Sequence, residues 1–457
     1  ACIKLSAQEY SCNRLGKPHV IRIGGAGVRK PLPHPGLSSP RPGGHALPMR
    51  ALCAALLVMG MWDLAEPTKC GADLPLVANT WAFTAATESA WEAMTAEDAK
   101  HPAMDAIEMG ATQCEDDQCD GTVGYGGSPD EAGETTLDAM IMDGDTMDMG
   151  AVGDLRHVKH ALSAARMVLR TTRHSLLTGL QATQFAMDMG MKLDDLSTKA
   201  SAAQHAAWRA DRCQPNFRRD VCPDPARSCG PYSLPRGKVR PMAPGARSGT
   251  DQCVDVEELV PPSPPAAATA ASSLLTAAAQ AATASHGRPP NRTATPFPSP
   301  TAHDTIALLA IDRRGSIAAG ASTNGAAHKV PGRVGDAAVA GGGAYADSAV
   351  GACGATGDGD VHLRFLPCYQ VVESMRAGAG PAAAAEEALR RIADRVPGYV
   401  GAVLAADRCG ALGAAAVGWN FTYAYRHARS DGVRVVHIAP LQPRAGPAPA
   451  PTLVGAQ

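Results

Sequence analysis

Apolar residues fall into strand-like runs and helix-like spacings over two stretches of this 457-residue chain, and the period is lost between them. Residues 74–83 form a short apolar run of the length of a buried strand, and 87–94 begin a helix with Thr87 as its N-cap. Asp154 is placed to cap a longer helix in which Leu155, Val158, Leu162, Ala165 and Leu169 share one face. Further on, 303–311 read as a buried strand, 313–316 as a turn and 317–322 as the returning strand of a hairpin. Residues 381–396 are predicted as a helix with Pro381 in its first turn. Strands follow at 400–405 and 433–438, the latter rich in β-branched residues. Strands and helices on both sides of the gap predict a layered α/β structure.

The gap itself, 243–302, is mostly Ala, Pro, Ser, Thr, Gly and Arg, with runs such as Pro261-Pro262-Ser263-Pro264-Pro265 that no helix or central strand can continue. It reads as a disordered linker. With 47 Gly and 36 Pro against 4% aromatics, the folded part is shorter than the chain, although 45% hydrophobic residues are enough for a sizeable core. Lys and Arg total 42 against 44 Asp and Glu, so no cationic excess exists to hold nucleic acid or an acidic membrane.

Thirteen cysteines are many for a reducing compartment, and an odd number cannot all pair within one chain. Met49-Arg50 followed by the apolar run to Trp62 has the profile of a signal peptide, set at 49–66, and is too short for a stable membrane span. A buried helix of the mature protein is the other reading of that run. Residues 1–48 read as loop-like Pro/Gly/Arg leader, and Gly24-Gly25-Ala26-Gly27 within them as coincidence.

Thr305 stands where the linker ends and a strand begins. A threonine hydroxyl is a weak nucleophile at neutral pH and needs a base beside it. A cut just before Thr305 would free an α-amino group to be that base, so that one residue supplies both functions. Position alone is weak evidence, because β-branched residues open strands for structural reasons too.

The surrounding motifs change the picture. LPLVANTW at 74–81, CDGTVGYGGSP at 119–129, GETTLDAMIMDG at 133–144, CQPN at 213–216 and HDT at 303–305 occur in order. They continue with STNG at 322–325, GRVGD at 332–336, GAYAD at 343–347 and ATG at 355–357. Together they resemble the glycosylasparaginases, a family of N-terminal-nucleophile hydrolases, across nearly all of both patterned stretches. The resemblance implies a four-layer αββα sandwich, an α subunit at 67–304 and a β subunit at 305–457 made by autocleavage between Asp304 and Thr305. Residues 67–242 and 305–440 would then form one catalytic domain. It implies Thr305 as nucleophile, Thr323 as the residue that tunes it, and Thr356 and Gly357 as the oxyanion hole. It also implies Arg333 gripping the substrate α-carboxylate, Asp336 its α-ammonium, and Trp81 lining the cleft. Without the resemblance, Arg333 and Asp336 would read as a loop salt bridge and Trp81 as a core aromatic.

By the same resemblance, Cys114 pairs with Cys119 and Cys213 with Cys229; a zinc site is the alternative use of such cysteines. The family's β-chain disulfides have no counterpart, since Ala385, Ala405 and Ala416 occupy matching positions. The sequons at Asn291 and Asn420 suit the secretory pathway, with the lysosome, a vacuole or the exterior as destination. Expected partners are a glycosylated asparagine substrate and the chain's own α and β parts in an (αβ)2 oligomer, with no cofactor and no metal. The plant-type L-asparaginases or isoaspartyl peptidases of the same superfamily are the alternative activity. A non-catalytic carbohydrate-binding homologue is a further one.

Overall fold

The hairpin anticipated after residue 303 is the centre of the architecture. Its strands form at Ile306–Ile311 (β8) and Ile317–Thr323 (β9), every residue of both buried, and pair from Ile306 opposite Ser322 to Ile311 opposite Ile317. In β8, Ile306, Leu308 and Ala310 enter one hydrophobic cluster while Ala307, Leu309 and Ile311 enter another. Period-two alternation with both faces covered is why the sequence shows a continuous apolar run rather than alternating polarity. The computed structural model describes residues 2–6, 9–12, 19–22, 73–235 and 305–442. The signal segment, the linker, Asp304 and Asn291 lie outside these residues.

The chain divides into two units, 1–68 and 69–457. In the first, Cys2–Ser6 (β1), Glu9–Cys12 (β2) and His19–Arg22 (β3) form a three-stranded antiparallel sheet. The loop-like reading of 1–48 is therefore corrected for its first part, which forms these three strands.

In the second unit β8 and β9 belong to an eight-stranded sheet. Leu76–Thr80 (β4), Leu137–Asp143 (β5), Met149–Leu155 (β6) and Leu176–Thr178 (β7) join them, with Phe421–His427 (β14) and Arg434–Ile438 (β15) at the far edge. The order is β15-β14-β4-β8-β9-β5-β6-β7. A four-stranded sheet contains Ala344–Asp347 (β10), Gly351–Gly357 (β11), Gly401–Asp407 (β12) and Leu412–Val417 (β13), in sequence order.

Three clusters hold these parts together. Helices Thr84–Thr95 (α1), Pro102–Asp117 (α2) and Ala161–Thr171 (α3) bury Ala90, Ile107 and Ala165 with Val77, Leu308 and Ala318. Leu309, Ala319 and Met140 of the large sheet pack with Ala346, Ala352 and Leu404 of the small one. On the other face of the small sheet, Ala355 and Val403 meet Val371 of Pro367–Arg376 (α7), and Ala385 and Leu389 of Pro381–Ala393 (α8). Among the described residues there are also helices at Gly179–Asp188 (α4), Lys199–Ala210 (α5) and Gly359–Phe365 (α6). The approach of the sheets requires small residues: a Cβ on Gly354 of β11 would lie 2.6 Å from the Ala307 Cβ.

Two local expectations are corrected. Thr87 does not cap α1, which starts at Thr84; it is buried inside the helix and donates to Asn79 Oδ1. Asp154 caps nothing either, because β6 runs through it and α3 begins only at Ala161. Its amide is taken by Asp138 Oδ1 at 2.8 Å, which holds the segment in the sheet. Leu162 and Ala165 do face the core from α3, while Leu155 and Val158 reach it from the strand and the following loop.

Candidate active site

Thr305 lies one residue before β8 and is 2% exposed. The β8–β9 register places it beside Thr323, and the pairing of Asp138 with Thr323 extends that line into β5. The Thr305 carbonyl accepts from Thr80 Oγ1 at 2.8 Å, and the same Thr80 oxygen accepts from the Ala307 amide at 2.9 Å. From the small sheet, Thr356 Oγ1 accepts the Thr305 backbone N–H at 3.0 Å and Trp81 Nε1–H at 3.1 Å. Two donors occupy both lone pairs of that hydroxyl, so its remaining capacity is to donate its own proton.

Thr323 Oγ1 donates to the Thr122 carbonyl at 3.2 Å and accepts from the Gly325 amide at 3.0 Å, tying β9 to the 119–129 loop. Gly357 follows Thr356 with φ of 124°, and a Cβ there would lie 2.5 Å from Gly401 Cα. Only glycine fits. The strand ends of β4, β8, β9 and β11 thus bring Trp81, Thr305, Thr323, Thr356 and Gly357 into one neighbourhood.

Arg333 and Asp336 are next to it, and they are not paired with each other. Arg333 Nη2 lies 3.0 Å from Asp360 and Nη1 4.0 Å from Asp138, with the side chain 13% exposed. Burial alone would lower its pKa, but the surrounding Asp360 and Asp138 carboxylates outweigh this and raise it. Asp336 Oδ2 is bonded to His362 Nδ1 at 2.7 Å, and His362 Nε2 to the Tyr399 hydroxyl at 2.7 Å, all three buried. The two charged groups converge on Gly359, where a Cβ would sit 2.5 Å from Asp336 Oδ1 and 3.1 Å from Arg333 Nη2. A cation and an anion thus flank one bare backbone position.

Trp419 is the residue whose place in the site the sequence reading misses. Its ring centroid lies 5.5 Å from that of Trp81, and it borders Gly357, whose added Cβ would be 3.1 Å from the indole. Its Nε1 is buried and has no hydrogen-bond partner among the described residues. Thr80, Asp138, Gly359 and His362 were likewise given no role, although Thr80 and Asp138 lie within quoted motifs and Gly359 just beyond one.

Cys114 and Cys119 form a disulfide, as do Cys213 and Cys229, with Cα separations of 5.3 and 5.2 Å. Cys222 and Cys409 are also disulfide-bonded, which the sequence reading does not anticipate. Among the described residues no cluster of three His, Cys, Asp or Glu is arranged to hold a metal, and no helix is long and apolar enough to cross a membrane.

Beneath the site two buried groups carry shifted pKa values. Lys329, donating to the Asn324 and Thr136 carbonyls at 2.6 and 3.1 Å, is lowered by burial to about 8. Glu115 is raised by burial to about 7 despite accepting from Ser322 Oγ at 2.6 Å and from the Leu162 amide at 3.1 Å. Nearby His160 lowers it slightly and Asp116 raises it. A carboxyl whose folded pKa lies above its unfolded one favours folding at low pH. Stability is therefore lost as pH rises from about 4.5 through about 7, by roughly 3 kcal/mol in all. Glu115→Gln should flatten that part of the stability-versus-pH curve, measured by denaturant unfolding between pH 4 and 8. An unchanged slope would remove Glu115 as its source.

A buried threonine at a strand start is thus held by hydroxyls of both sheets, with a cation and an anion nearby. Residues 55–435 match the asparaginase family, and the chain belongs to it. It is 45% identical over 365 residues to the N(4)-(beta-N-acetylglucosaminyl)-L-asparaginase of Mus musculus, covering 80% of this chain and 89% of that protein. It is 41% identical over 387 residues to a probable isoaspartyl peptidase/L-asparaginase 3 of Arabidopsis thaliana, covering 84% and 96%. A Drosophila melanogaster protein, a putative N(4)-(beta-N-acetylglucosaminyl)-L-asparaginase, is 46% identical over 346 residues, covering 76% and 77%.

Proposed function

We propose that this chain is a glycosylasparaginase that activates itself by cleavage before Thr305 and hydrolyses the N4-(β-N-acetylglucosaminyl)-L-asparagine bond. The observation that carries the proposal is the bond from the Thr305 backbone nitrogen to Thr356 Oγ1. In the uncut chain, the Thr305 hydroxyl attacks the Asp304 carbonyl, the peptide nitrogen takes the proton, and water hydrolyses the resulting ester. The freed α-amine stays where the amide was, against Thr356, and serves as the base for the hydroxyl on the same residue.

In turnover the Thr305 Oγ attacks the side-chain carbonyl of the substrate asparagine, and its proton passes through the α-amine to the leaving glycosylamine. The Thr356 hydroxyl proton and the Gly357 region face the developing oxyanion, where one donor is typically worth about 10² to 10³ in rate. Water then releases aspartate from the ester. Arg333 takes the α-carboxylate, Asp336 the α-ammonium, and Thr323 positions the nucleophile from β9.

The α and β parts remain associated as a four-layer αββα sandwich, helices outside and the two sheets within, and the (αβ)2 assembly follows the same reading. Disulfides in the folded unit support a secretory destination such as the lysosome or a vacuole.

The paired indoles of Trp81 and Trp419 favour a sugar on the leaving side over a second amino acid, because sugar rings stack on aromatic faces. Trp419→Leu should raise KM for N-acetylglucosaminyl-asparagine roughly tenfold, a loss of about 1–2 kcal/mol, and leave a small β-aspartyl amide nearly unaffected. Equal effects on both substrates would place Trp419 outside the sugar site. The test of the activity itself is turnover of N-acetylglucosaminyl-asparagine against a β-aspartyl dipeptide. Preference for the dipeptide would move the assignment to isoaspartyl peptidase.

A further inference from the structure

Two buried thiols outside the proposed chemistry lie closer together than thiols pack. Cys353 Sγ on β11 and Cys368 Sγ at the second residue of α7 are 2.7 Å apart, and both residues are fully buried in the cluster between the small sheet and its helices. Even two carbon atoms in contact stand about 3.5–4.0 Å apart, whereas a disulfide bond is about 2.0 Å long. The other hydrogen-bonding contacts of these sulfurs are to carbonyl oxygens, Gly354 at 3.9 Å and Gly343 at 3.8 Å. No third cysteine or histidine sits with them to make a metal site among the described residues.

We propose that Cys353 and Cys368 form a disulfide in the mature protein, clamping β11 to α7 within the part of the chain that follows Thr305. The reaction is two successive exchanges with a disulfide oxidant RSSR, of the class that also makes Cys114–Cys119 and Cys213–Cys229. One cysteine thiolate attacks RSSR, giving a mixed disulfide and RS⁻. The second thiolate then displaces the other RS⁻, so that two thiols are oxidised and two RSH are produced once protons are taken up. Both sulfurs are sealed in the finished core, and burial together with the neighbouring thiol pushes the Cys368 pKa well above its ordinary value. Exchange therefore occurs while β11 and α7 are docking, and the closed bridge resists reductant afterwards.

The segment between the two cysteines carries Thr356, Gly357, Gly359 and His362. A clamp across it joins the two ends of this strand-to-helix segment, which lines both the proposed oxyanion site and the proposed pocket for the amino-acid end.

The experiment uses the full mature protein, denatured under acid quench, alkylated without reductant, digested and mapped by mass spectrometry. The expected result is one linked pair of peptides containing Cys353 and Cys368, two hydrogens lighter than the sum of the free peptides. Both cysteines should become alkylated only after reduction in denaturant, and should stay protected from dithiothreitol applied to the native protein. Recovery of both peptides alkylated without reductant would overturn the proposal, as would linkage of either cysteine elsewhere. In Cys368→Ala, Cys353 should become alkylated on denaturation alone; continued protection would show a different partner and overturn the pairing.

Discussion

Thr305→Ala is expected to accumulate as a single uncut chain and to lose at least about 10⁴ of the amide-hydrolase turnover, the scale seen when a nucleophile is removed. The loss is double in origin. Cleavage needs the hydroxyl to attack the preceding carbonyl, and hydrolysis needs both that hydroxyl and the amine the cleavage frees. Substitution removes only a small buried side chain, while the backbone bonds from Thr305 to Thr80 and Thr356 do not depend on it. The variant should therefore fold, and unfold in denaturant near the wild-type midpoint. Thr305→Ser retains the chemistry and should still cleave. Chain masses and turnover of N-acetylglucosaminyl-asparagine decide the matter: fully active wild type consisting only of uncut chain would overturn self-activation, and an active alanine variant would overturn the assignment of the nucleophile.

The strands at the centre of this site were legible because both of their faces are buried. Continuous apolar runs such as 306–311 and 317–323 leave little choice of element, and the turn at Arg313, Arg314 and Gly315 sets their pairing. Leu155 was misread as the start of a helix because Leu155, Val158 and Leu162 fall at helical spacing by accident, whereas it ends strand β6, in which Gly150 and Gly153 carry the true signal. A Cβ on Gly150 would lie 2.1 Å from the Ala165 carbonyl oxygen, so that glycine records a helix packed directly on a strand, a tertiary fact without local periodicity. The site residues within contiguous motifs were legible as a set. Trp419 and His362 were not, since each reaches the site from a segment whose own pattern describes only a strand end or a helix. The thiol pair was hidden for the same reason: Cys353 and Cys368 read as two of 13 cysteines until β11 and α7 are packed together.

Blocking either end of the substrate asparagine should cost at least about 30-fold in kcat/KM, and more when both are blocked. The reason lies in how Arg333 and Asp336 are supplied. Arg333 has Asp360 on one nitrogen at 3.0 Å and a longer contact to Asp138, while its Nε has no partner among the described residues. Asp336 spends one oxygen on His362 and turns the other toward Gly359. Neither charge is neutralised by the other, so each has capacity for a counterion from the substrate. Acetylating the α-amine leaves Asp336 without that counterion in a cleft largely closed to water, and amidating the α-carboxylate does the same to Arg333. Truncated charge pairs of this kind lose on the order of 2–5 kcal/mol. Arg333→Gln should impose a similar loss on the free substrate and make the enzyme nearly indifferent to amidation, because the group that sensed the carboxylate is gone. The blocked substrates need no variant, so misfolding cannot mimic the result. Equal turnover of free and blocked glycosyl-asparagine by the wild type would show that this pocket does not read the amino-acid backbone.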